Sequence, residues 1–305
     1  MDTLKKIITW VIIIGGGAYL IIHNEIVVNF ILDNFIVDTS VNIPESNAYA
    51  RDYEYVSFSY DEDFKPEKMS DYKNIIFNIF NGGYDTFSFF CPRYYEKCIP
   101  DLKEITGNQA TITMINNYVS PFNSFSTINT TITTIGTTNE ITYEIRKLYS
   151  ASDVEAVNNQ LDKIIGELNI SSYASTSDKI RVFHDYLISH VDYDNERARS
   201  GESMYKSNTA YGALIEGKAI CSGYADALAI FLDRLDVPNF KISEEEHIWN
   251  MVYINNSWLH IDVTWDDVNN PISKYNYFLI STKKLLELDK TTHNFDKSFY
   301  LEASN

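Results

Sequence analysis

The chain opens with an uncharged apolar run from Ile7 to Ile22, preceded by lysines at positions 5 and 6. A helix over this run would be about 24 Å long, and the apolar residues after Glu25 would extend it towards the ~30 Å of a bilayer core. Three successive glycines disfavour a helix in a soluble core, and no small-residue cleavage site follows, which favours an anchor over the alternative of a cleaved signal peptide. We therefore predict a single-pass membrane anchor over residues 1–32, with the N-terminus inside and the rest of the chain extracytoplasmic.

Residues 51 to about 150 have a different pattern, in which apolar and polar residues alternate over short stretches. The alternating apolar positions are Val56, Phe58 and Tyr60, then Ile112 and Met114, then Ile141, Tyr143 and Ile145. A threonine-rich segment at 128–138 is typical of a strand, and one short helix is predicted over 72–80. The polar stretch 33–50 contains Pro44 and predicts a stalk. No catalytic constellation stands out in this β-rich part.

Beyond residue 150 the apolar residues recur at helical spacing. The first stripe consists of Val154, Val157, Leu161, Ile164, Ile165 and Leu168. Ser152 followed by Glu155 has the pattern of a capping box at its start. After a serine-rich break, a second helix is predicted from Ser177, and the histidines at 184 and 190 on it are interpreted as packed or surface residues. The break predicts a β-rich domain with a linker helix at 51–172 and a second domain at 173–305.

A cysteine lies where a further helix is predicted to begin. After Cys221 the apolar residues again have helical spacing, and Pro238 marks the end of the pattern. The free N–H groups and the dipole at a helix N-terminus favour a thiolate, which is the reactive form of cysteine. The same N–H groups could hold the oxyanion of a tetrahedral intermediate. By itself this position is only suggestive, because buried structural cysteines outnumber catalytic ones.

A β-hairpin is predicted over residues 247–263, where apolar and polar residues alternate on both sides of an Asn-Asn pair at 255–256. If the loop has two residues, Ile254 pairs with Ser257. The residues that then share one face of the hairpin are His247, Trp249, Asp262 and Thr264. His247 and Asp262 lie on a diagonal, about 7–8 Å apart at the backbone, which two polar side chains can bridge. A three-residue loop would put Asp262 on the opposite face.

These residues together supply a nucleophile, a base and a group that orients the base. Cys221 is the candidate nucleophile, His247 the base, and Asp262 the residue that fixes the imidazole tautomer and stabilises the imidazolium. His260 is a rival base on the same face and ranks lower, because it lies a further step from the predicted helix end.

The amino-acid composition indicates which classes of partner this protein can bind. The net charge of −17 is spread along the chain and argues against nucleic acid, whose binding needs a basic patch. It favours neutral or cationic partners instead. The chain has three cysteines, and Cys91 and Cys98 are either a disulfide of an oxidising compartment or reduced core residues. No motif in the sequence calls for a metal or another cofactor.

Three segments together resemble the transglutaminase-like superfamily, particularly its bacterial exported members. They are NTAYGALIEGKAICSGYADAL around Cys221, HIWN at His247, and HIDVTWDD around Asp262. They occur in the order of the family's cysteine, histidine and aspartate, which carry over to these three residues. The resemblance extends from about 177 to 300, with Ile248 where the family often has alanine. In its last part, YNYFLIS and the later His293 resemble the family's closing strand and tail.

The resemblance implies an α+β, papain-like core, in which the nucleophile helix packs on an antiparallel sheet. It also implies acyl transfer at a protein or peptide amide through a thioester, with hydrolysis and amine transfer both open. Four further residues are candidates for oxyanion or substrate contacts: Tyr211, Ser222, Trp249 and Trp265; for the two tryptophans packing is the favoured interpretation. The alternative function is a surface binding or assembly module that keeps the fold without turnover.

Overall fold

The computed structural model describes residues 15–17, 19, 24–31, 39–53, 55, 57–59, 63–267 and 274–304. Most of the predicted membrane anchor, including nearly all of the run from Ile7 to Ile22, lies outside these described residues. The first helix with stated bounds is α1, Glu25–Ile31. Among the described residues, no helix combines the length and the apolar character needed to cross a bilayer.

The first half of the described chain is a three-stranded antiparallel sheet with helices around it. Its elements are α2 (Met69–Gly82), β1 (Thr86–Phe90), α3 (Cys98–Gly107), α4 (Gln109–Asn116), a 3-10 turn (Pro121–Asn123), β2 (Phe125–Ile135) and β3 (Thr138–Lys147). The strand order is β1-β3-β2. The predicted helix at 72–80 is confirmed within α2, and the threonine-rich segment is confirmed as a strand, β2.

The prediction of a strand was wrong at Ile112 and Met114, and of the predicted stretch with Val56, Phe58 and Tyr60 only Phe58 lies among the described residues. Ile112 and Met114 lie in helix α4, because the Asn108 side chain accepts a hydrogen bond from the Thr111 N–H (3.0 Å) and caps a helix there. Near residue 58 the described residues form an isolated bridge, Tyr55↔Phe58, rather than a strand. This region is therefore a mixture of helix and sheet.

A disulfide joins Cys91 to Cys98, with 5.8 Å between the Cα atoms. It connects the residue after β1 to the first residue of α3. The sequence leaves this bridge open, because seven residues of separation do not say whether the two Cβ atoms face each other.

The second half carries the helix-on-sheet unit that the sequence predicted. Its helices are α5 (Ala151–Glu167), α6 (Thr176–His190), α7 (Asn195–Ser200), α8 (Cys221–Arg234), α9 (Val263–Asp266) and α10 (Thr282–Leu288), with a 3-10 turn (Ile170–Ser172) and a π turn (Gly212–Glu216). Its strands are β4 (Asp192–Tyr193), β5 (Lys218–Ala219), β6 (Asn239–Glu244), β7 (His247–Ile254), β8 (Ser257–Ile261) and β9 (Phe278–Ile280). The last four form one antiparallel sheet in the order β6-β7-β8-β9, and α8 packs against β6 and β7. The fold class of this part is thus α+β.

Two helix starts differ from the predicted ones by a short step. The box that caps α5 is formed by Ser150 and Asp153 rather than by Ser152 and Glu155. Ser150 has an extended backbone, so its hydroxyl can accept the Asp153 N–H, whereas Ser152 is already inside the helix. In α6 the cap is likewise Ser175, two residues before the predicted start.

The hairpin of β7 and β8 has the predicted register. Ile254 pairs with Ser257, and Asn255 and Asn256 both have positive φ, 53° and 61°, as a two-residue type I′ loop requires. The pairing ends at Ile261 because the next residue, Asp262, caps α9. Thr264, which was predicted to share a face of the hairpin with His247, consequently lies in that helix instead.

The hydrophobic cores do not separate at residue 172. One core joins Val157 and Leu161 of α5 to α8, while the other joins α2 and β1 to Phe240 and Met251 of the second sheet. Across this contact Arg51 is buried, and its guanidinium donates to both carboxylate oxygens of Asp233, at 3.1 and 2.9 Å. The two halves share their packing.

Candidate active site

Cys221 is the first residue of α8 and is 9% exposed. The segment before the helix is fixed by the Ile220 N–H, which donates to the Ser207 carbonyl at 2.8 Å. Gly223 allows this close approach, since a Cβ there would lie 2.4 Å from the same carbonyl oxygen. The helix begins at the cysteine, and the Gly223 and Tyr224 N–H groups donate to the Ile220 carbonyl at 2.9 and 3.2 Å, which leaves the N–H groups of Cys221 and Ser222 as the free ones of this described first turn. The Sγ atom faces the Glu246 carbonyl at 4.0 Å, beside the start of β7.

His247 is the first residue of β7, and Asp262 follows β8 across the hairpin. The His247 Nε2 and the Asp262 Oδ2 are 2.5 Å apart, and the two side chains are 11% and 1% exposed. With Nε2 directed at the carboxylate, Nδ1 is the nitrogen left for Cys221. The diagonal inferred from the hairpin register is therefore bridged by a hydrogen bond.

The electrostatics of this pair favour the charged forms. Burial acts to lower the pKa of His247. The charge and the hydrogen bond of Asp262, and those of Cys221, act on His247 in the opposite direction. They outweigh burial and raise the pKa of His247 to about 10. Burial acts to raise the pKa of Asp262, but His247 and His293 lower it to about 2. At neutral pH His247 is consequently an imidazolium beside a carboxylate.

Asp262 is held by more partners than the sequence indicated. Its Oδ1 accepts the Trp265 N–H at 3.1 Å, and its own N–H donates to the Tyr277 carbonyl at 3.0 Å. Its Oδ2 receives a second imidazole, the Nε2 of His293, at 2.9 Å. The sequence assigns His293 only to the tail of the family resemblance, because no one-dimensional pattern brings residue 293 beside residue 262.

The rival histidine has other partners. The His260 Nδ1 accepts the Trp249 indole N–H at 3.1 Å, and its Nε2 contacts the Thr282 hydroxyl at 2.9 Å. Burial, helped by the charge of His293, lowers the pKa of His260 to about 3, so the ring is neutral. Both of its nitrogens are therefore engaged away from Cys221.

The four residues singled out for oxyanion or substrate contacts occupy different places. Trp249 is 1% exposed and cannot contact a substrate, so packing against His247 is its role. The Ser222 hydroxyl donates to the Asn208 carbonyl, and the Tyr211 ring lies 4.5 Å from the Lys206 ammonium. Trp265, in contrast, is 37% exposed, with its ring centroid 6.1 Å from that of His247. Of the four, Trp265 is the one that lies exposed beside His247.

Tyr193 is a residue near the site that the sequence did not single out. It pairs with Ala219 in the short parallel ladder of β4 and β5, two residues before Cys221, and is 38% exposed. Burial and the nearby negative charges of Cys221 and Asp262 raise the pKa of its phenol. A neutral phenol here is a hydrogen-bond donor next to the thiol. The parallel ladder that places it is too short to read from sequence.

The ring nitrogens of His247 and His293 and a carboxylate oxygen of Asp262 lie within 4.8 Å of one another, which raises the question of a metal. Two ligands of one tetrahedral zinc ion stand about 3.3 Å apart when the metal–ligand bonds are ~2.0 Å. The distances of 2.5 and 2.9 Å to Asp262 are shorter and are those of charge-assisted hydrogen bonds. The three residues are therefore a hydrogen-bonded group.

Comparison with known proteins finds a family match for the segment that contains this site. Residues 167–263 match the family model of the Transglutaminase-like superfamily, a range that contains the cysteine, the histidine and the aspartate. A solved structure described as a TGase is 17% identical in sequence to this chain, with a TM-score of 0.35. The match covers 47% of this chain and 45% of the other, so this chain spans less than half of that structure. No curated protein matches the sequence. Segment 167–263 of this chain is thus similar to the transglutaminase-like superfamily.

Proposed function

We propose that this protein is a thiol acyltransferase or hydrolase that attacks amide carbonyls of proteins or peptides through a Cys221 thioester. The observation that carries the proposal is His247, whose pKa is raised to about 10 by Asp262 and Cys221 together. An imidazolium that touches both a thiol and a buried carboxylate is the arrangement that activates a cysteine nucleophile. The match of segment 167–263 to the Transglutaminase-like superfamily supports a cysteine-dependent reaction of this class.

In the first half-reaction the proton of the Cys221 thiol is already held on Nδ1 of the His247 imidazolium, and the thiolate attacks the amide carbon. The carbon–sulfur bond forms, and the carbonyl π electrons move to oxygen, which the free N–H groups at the start of α8 can stabilise. When the oxyanion collapses, the carbon–nitrogen bond breaks and His247 gives its proton to the leaving amine. The product is a thioester on Cys221.

In the second half-reaction water or an amine attacks the thioester carbon. His247 takes a proton from the attacking group, and Cys221 leaves as a thiolate. Water gives a carboxylate and completes hydrolysis, whereas an amine gives a new amide and completes transfer. Asp262 remains ionised throughout and stabilises the imidazolium in both half-reactions.

The test is to trap Cys221 in the full chain with an electrophilic amide mimic and then to offer labelled glutamine-containing and other peptides. Mass spectrometry is expected to find the mimic, and then an acyl adduct, on Cys221, with neither adduct in Cys221→Ala. The peptide products distinguish hydrolysis from amine transfer. If Cys221 reacts like an ordinary thiol and no peptide is turned over, the enzyme proposal fails and the non-catalytic binding or assembly module is the better account.

We further propose that this protein is anchored to a membrane by its N-terminus and that its active site lies outside the cytoplasm. The disulfide Cys91–Cys98 supports this location, because structural disulfides persist in oxidising compartments. The uncharged run from Ile7 to Ile22, with its two preceding lysines, supports the anchor and its orientation. Protease added to intact cells should then digest the catalytic segment. Digestion only after lysis would contradict the proposed location without affecting the proposed chemistry.

A further inference from the structure

One carboxylate oxygen of Asp262, Oδ2, is in hydrogen-bond contact with two imidazoles. His247 approaches Oδ2 at 2.5 Å and His293 approaches it at 2.9 Å. The triad of the proposed function needs only the first of these contacts. The second comes from a segment that follows α10, and His293 is fully buried there. Its ring stacks on Tyr277, with centroids 5.3 Å apart, so its orientation is fixed by packing.

The other ring nitrogen of His293 also faces a carboxylate. Its Nδ1 lies 3.2 Å from the Asp289 Oδ2 and 3.3 Å from the Thr292 hydroxyl. Burial acts to raise the pKa of Asp289, but hydrogen bonds from the Thr292 hydroxyl and from nearby backbone N–H groups lower it overall. Asp289 is therefore ionised at neutral pH, and His293 lies between two carboxylates.

The two contacts of His293 determine how many protons its ring carries. A neutral imidazole has one N–H and one lone pair, so it can donate to only one of two carboxylates. The second nitrogen would then point a lone pair at an anionic oxygen. Both contacts of His293 are hydrogen bonds only if both nitrogens carry protons. His260 is the contrasting case on the same sheet, because its nitrogens meet the Trp249 N–H and the Thr282 hydroxyl, which suit a neutral ring.

We propose that His293 is a positioning residue of the catalytic site, which holds Asp262 alongside His247 and, through Asp289, keeps a second positive charge beside the Cys221–His247 pair. The inference rests on the proposed function. The ring centroids of His247 and His293 are 5.2 Å apart. The added charge stabilises the thiolate and weakens the hold of Asp262 on the proton of His247. A proton held less tightly is more easily given to the leaving amine.

Other titratable groups surround this cluster and contribute to the same balance. Four of them lie on named elements: Cys221 at the start of α8, Tyr193 in β4, His260 in β8 and Asp266 in α9. The other two are Tyr277, just before β9, and Asp289, just after α10. Of these, Asp289 is the carboxylate in contact with the ring of His293 opposite Asp262. The pair His293–Asp289 is thus the part of the cluster whose charge can be changed without replacing a residue of the triad.

The test is the pH profile of Cys221 alkylation in the full chain, which requires no substrate. Iodoacetamide reports the thiolate, and iodoacetate, being an anion, also reports the imidazolium beside it. In His293→Gln a neutral donor replaces the charged ring. Both the rising limb and the falling limb of the iodoacetate profile should then move to higher pH, by roughly one to two units for a charge lost at this distance. Asp289→Asn should shift them in the same direction, because His293 loses the partner of its second proton.

His260→Gln is the matched control. It removes a buried neutral imidazole from the same neighbourhood, so it should reduce thermal stability while leaving both limbs in place. Limbs that stay in place in His293→Gln and Asp289→Asn would overturn the inference and leave the triad intact. A wild-type profile with a single midpoint near ~8.5, that of an ordinary thiol, would instead contradict the proposed function. If neither variant folds, the histidine ¹⁵N shifts of the wild type decide, and a bare nitrogen on His293 at neutral pH overturns the inference.

Discussion

At the scale of single residues, the site depends on Asp262, which makes five hydrogen bonds through its side chain, its N–H and its carbonyl. Its side chain binds two imidazoles and caps α9, and its N–H fixes the segment at Tyr277. A buried carboxylate is costly unless it is paired in this way. The same residue therefore orients the base, stabilises its charge and holds the local fold.

The first prediction concerns the charge of Asp262. Asp262→Asn can keep the cap to the Trp265 N–H through its amide oxygen, but it cannot stabilise the imidazolium. Turnover should fall strongly, by up to about 10⁴-fold if the loss resembles that in serine triads. The pKa of His247, now raised to about 10, should fall. Peptide kinetics measure the first effect and the alkylation profile the second. A variant that retains wild-type turnover would remove Asp262 from the mechanism.

The second prediction uses the pH dependence of stability. The pKa of His247 is raised from the ordinary histidine value of 6.5 to about 10 in the folded chain. Its protonated form therefore contributes stability that is fully present below about pH 6.5 and is lost as the pH rises to about 10. The Tm of the wild type should fall over this window by more than that of His247→Gln. Parallel Tm curves for the two proteins would contradict the assignment of the charge to His247.

At the scale of elements, the position of Cys221 depends on how closely α8 approaches the loop at 207–209. Gly223 makes that approach possible, since a Cβ would lie 2.4 Å from the Ser207 carbonyl and 3.0 Å from the Thr209 carbonyl. Both obstacles are backbone atoms, which cannot rotate away as a side chain could. The start of the helix and the loop are thus fixed to each other.

The third prediction tests this contact. Gly223→Ala should lower stability and slow alkylation of Cys221, because the first turn of α8 must move to relieve the clash. Gly166→Ala is the matched control in α5, where an added Cβ meets nothing within 4 Å. There the better helix propensity of alanine should stabilise the protein by roughly 0.5–1 kcal/mol. Chemical unfolding of both variants measures the difference, and equal effects would show that the approach at Gly223 is not limiting.

At the scale of the whole molecule, the N-terminal half is part of the framework of the site. Arg51 reaches across to α8 and β6, where it binds Asp233 and donates to the Asn239 carbonyl at 3.1 Å. It also donates to the Tyr118 carbonyl of its own half at 3.0 Å. The Lys241 N–H, in β6, donates to the Asn117 carbonyl at 2.8 Å. The sheet that carries His247 is therefore packed against residues that precede the family match.

The fourth prediction follows from the burial of this ion pair. Arg51→Ala removes the cation that neutralises Asp233 and one hydrogen bond to each of the Tyr118 and Asn239 carbonyls, and should cost about 3–5 kcal/mol of unfolding free energy. Arg181→Ala is the control, because Arg181 pairs with Asp178 on an exposed helix surface and should cost no more than about 1 kcal/mol. Denaturant unfolding with near-UV circular dichroism compares them. Similar small losses in both would mean that the two halves are held together by their apolar contacts alone.

Sequence by itself determined the elements whose signal is local. The helical spacing after Cys221 predicted α8, the Asn-Asn pair predicted the two-residue turn, and that turn determined which residues of β7 and β8 face each other. Because side chains alternate along strands, the register alone brought His247 and Asp262 to one face. The order of the motifs was enough to indicate the family that segment 167–263 matches. Local signals failed where a side-chain cap decided the outcome, as at Asn108 and at Asp262.

Only the tertiary structure decided which distant residues complete the site. His293 and Asp289 join Asp262 through a segment that returns to the sheet after α10, and a ladder of two residues pairs Tyr193 with Ala219, two residues before Cys221. The partners of Arg51 and the bridge between Cys91 and Cys98 likewise depend on how separate elements pack. Such contacts follow from the global minimum of packing and charge pairing. That minimum is a property of the whole chain, and no window of sequence contains it.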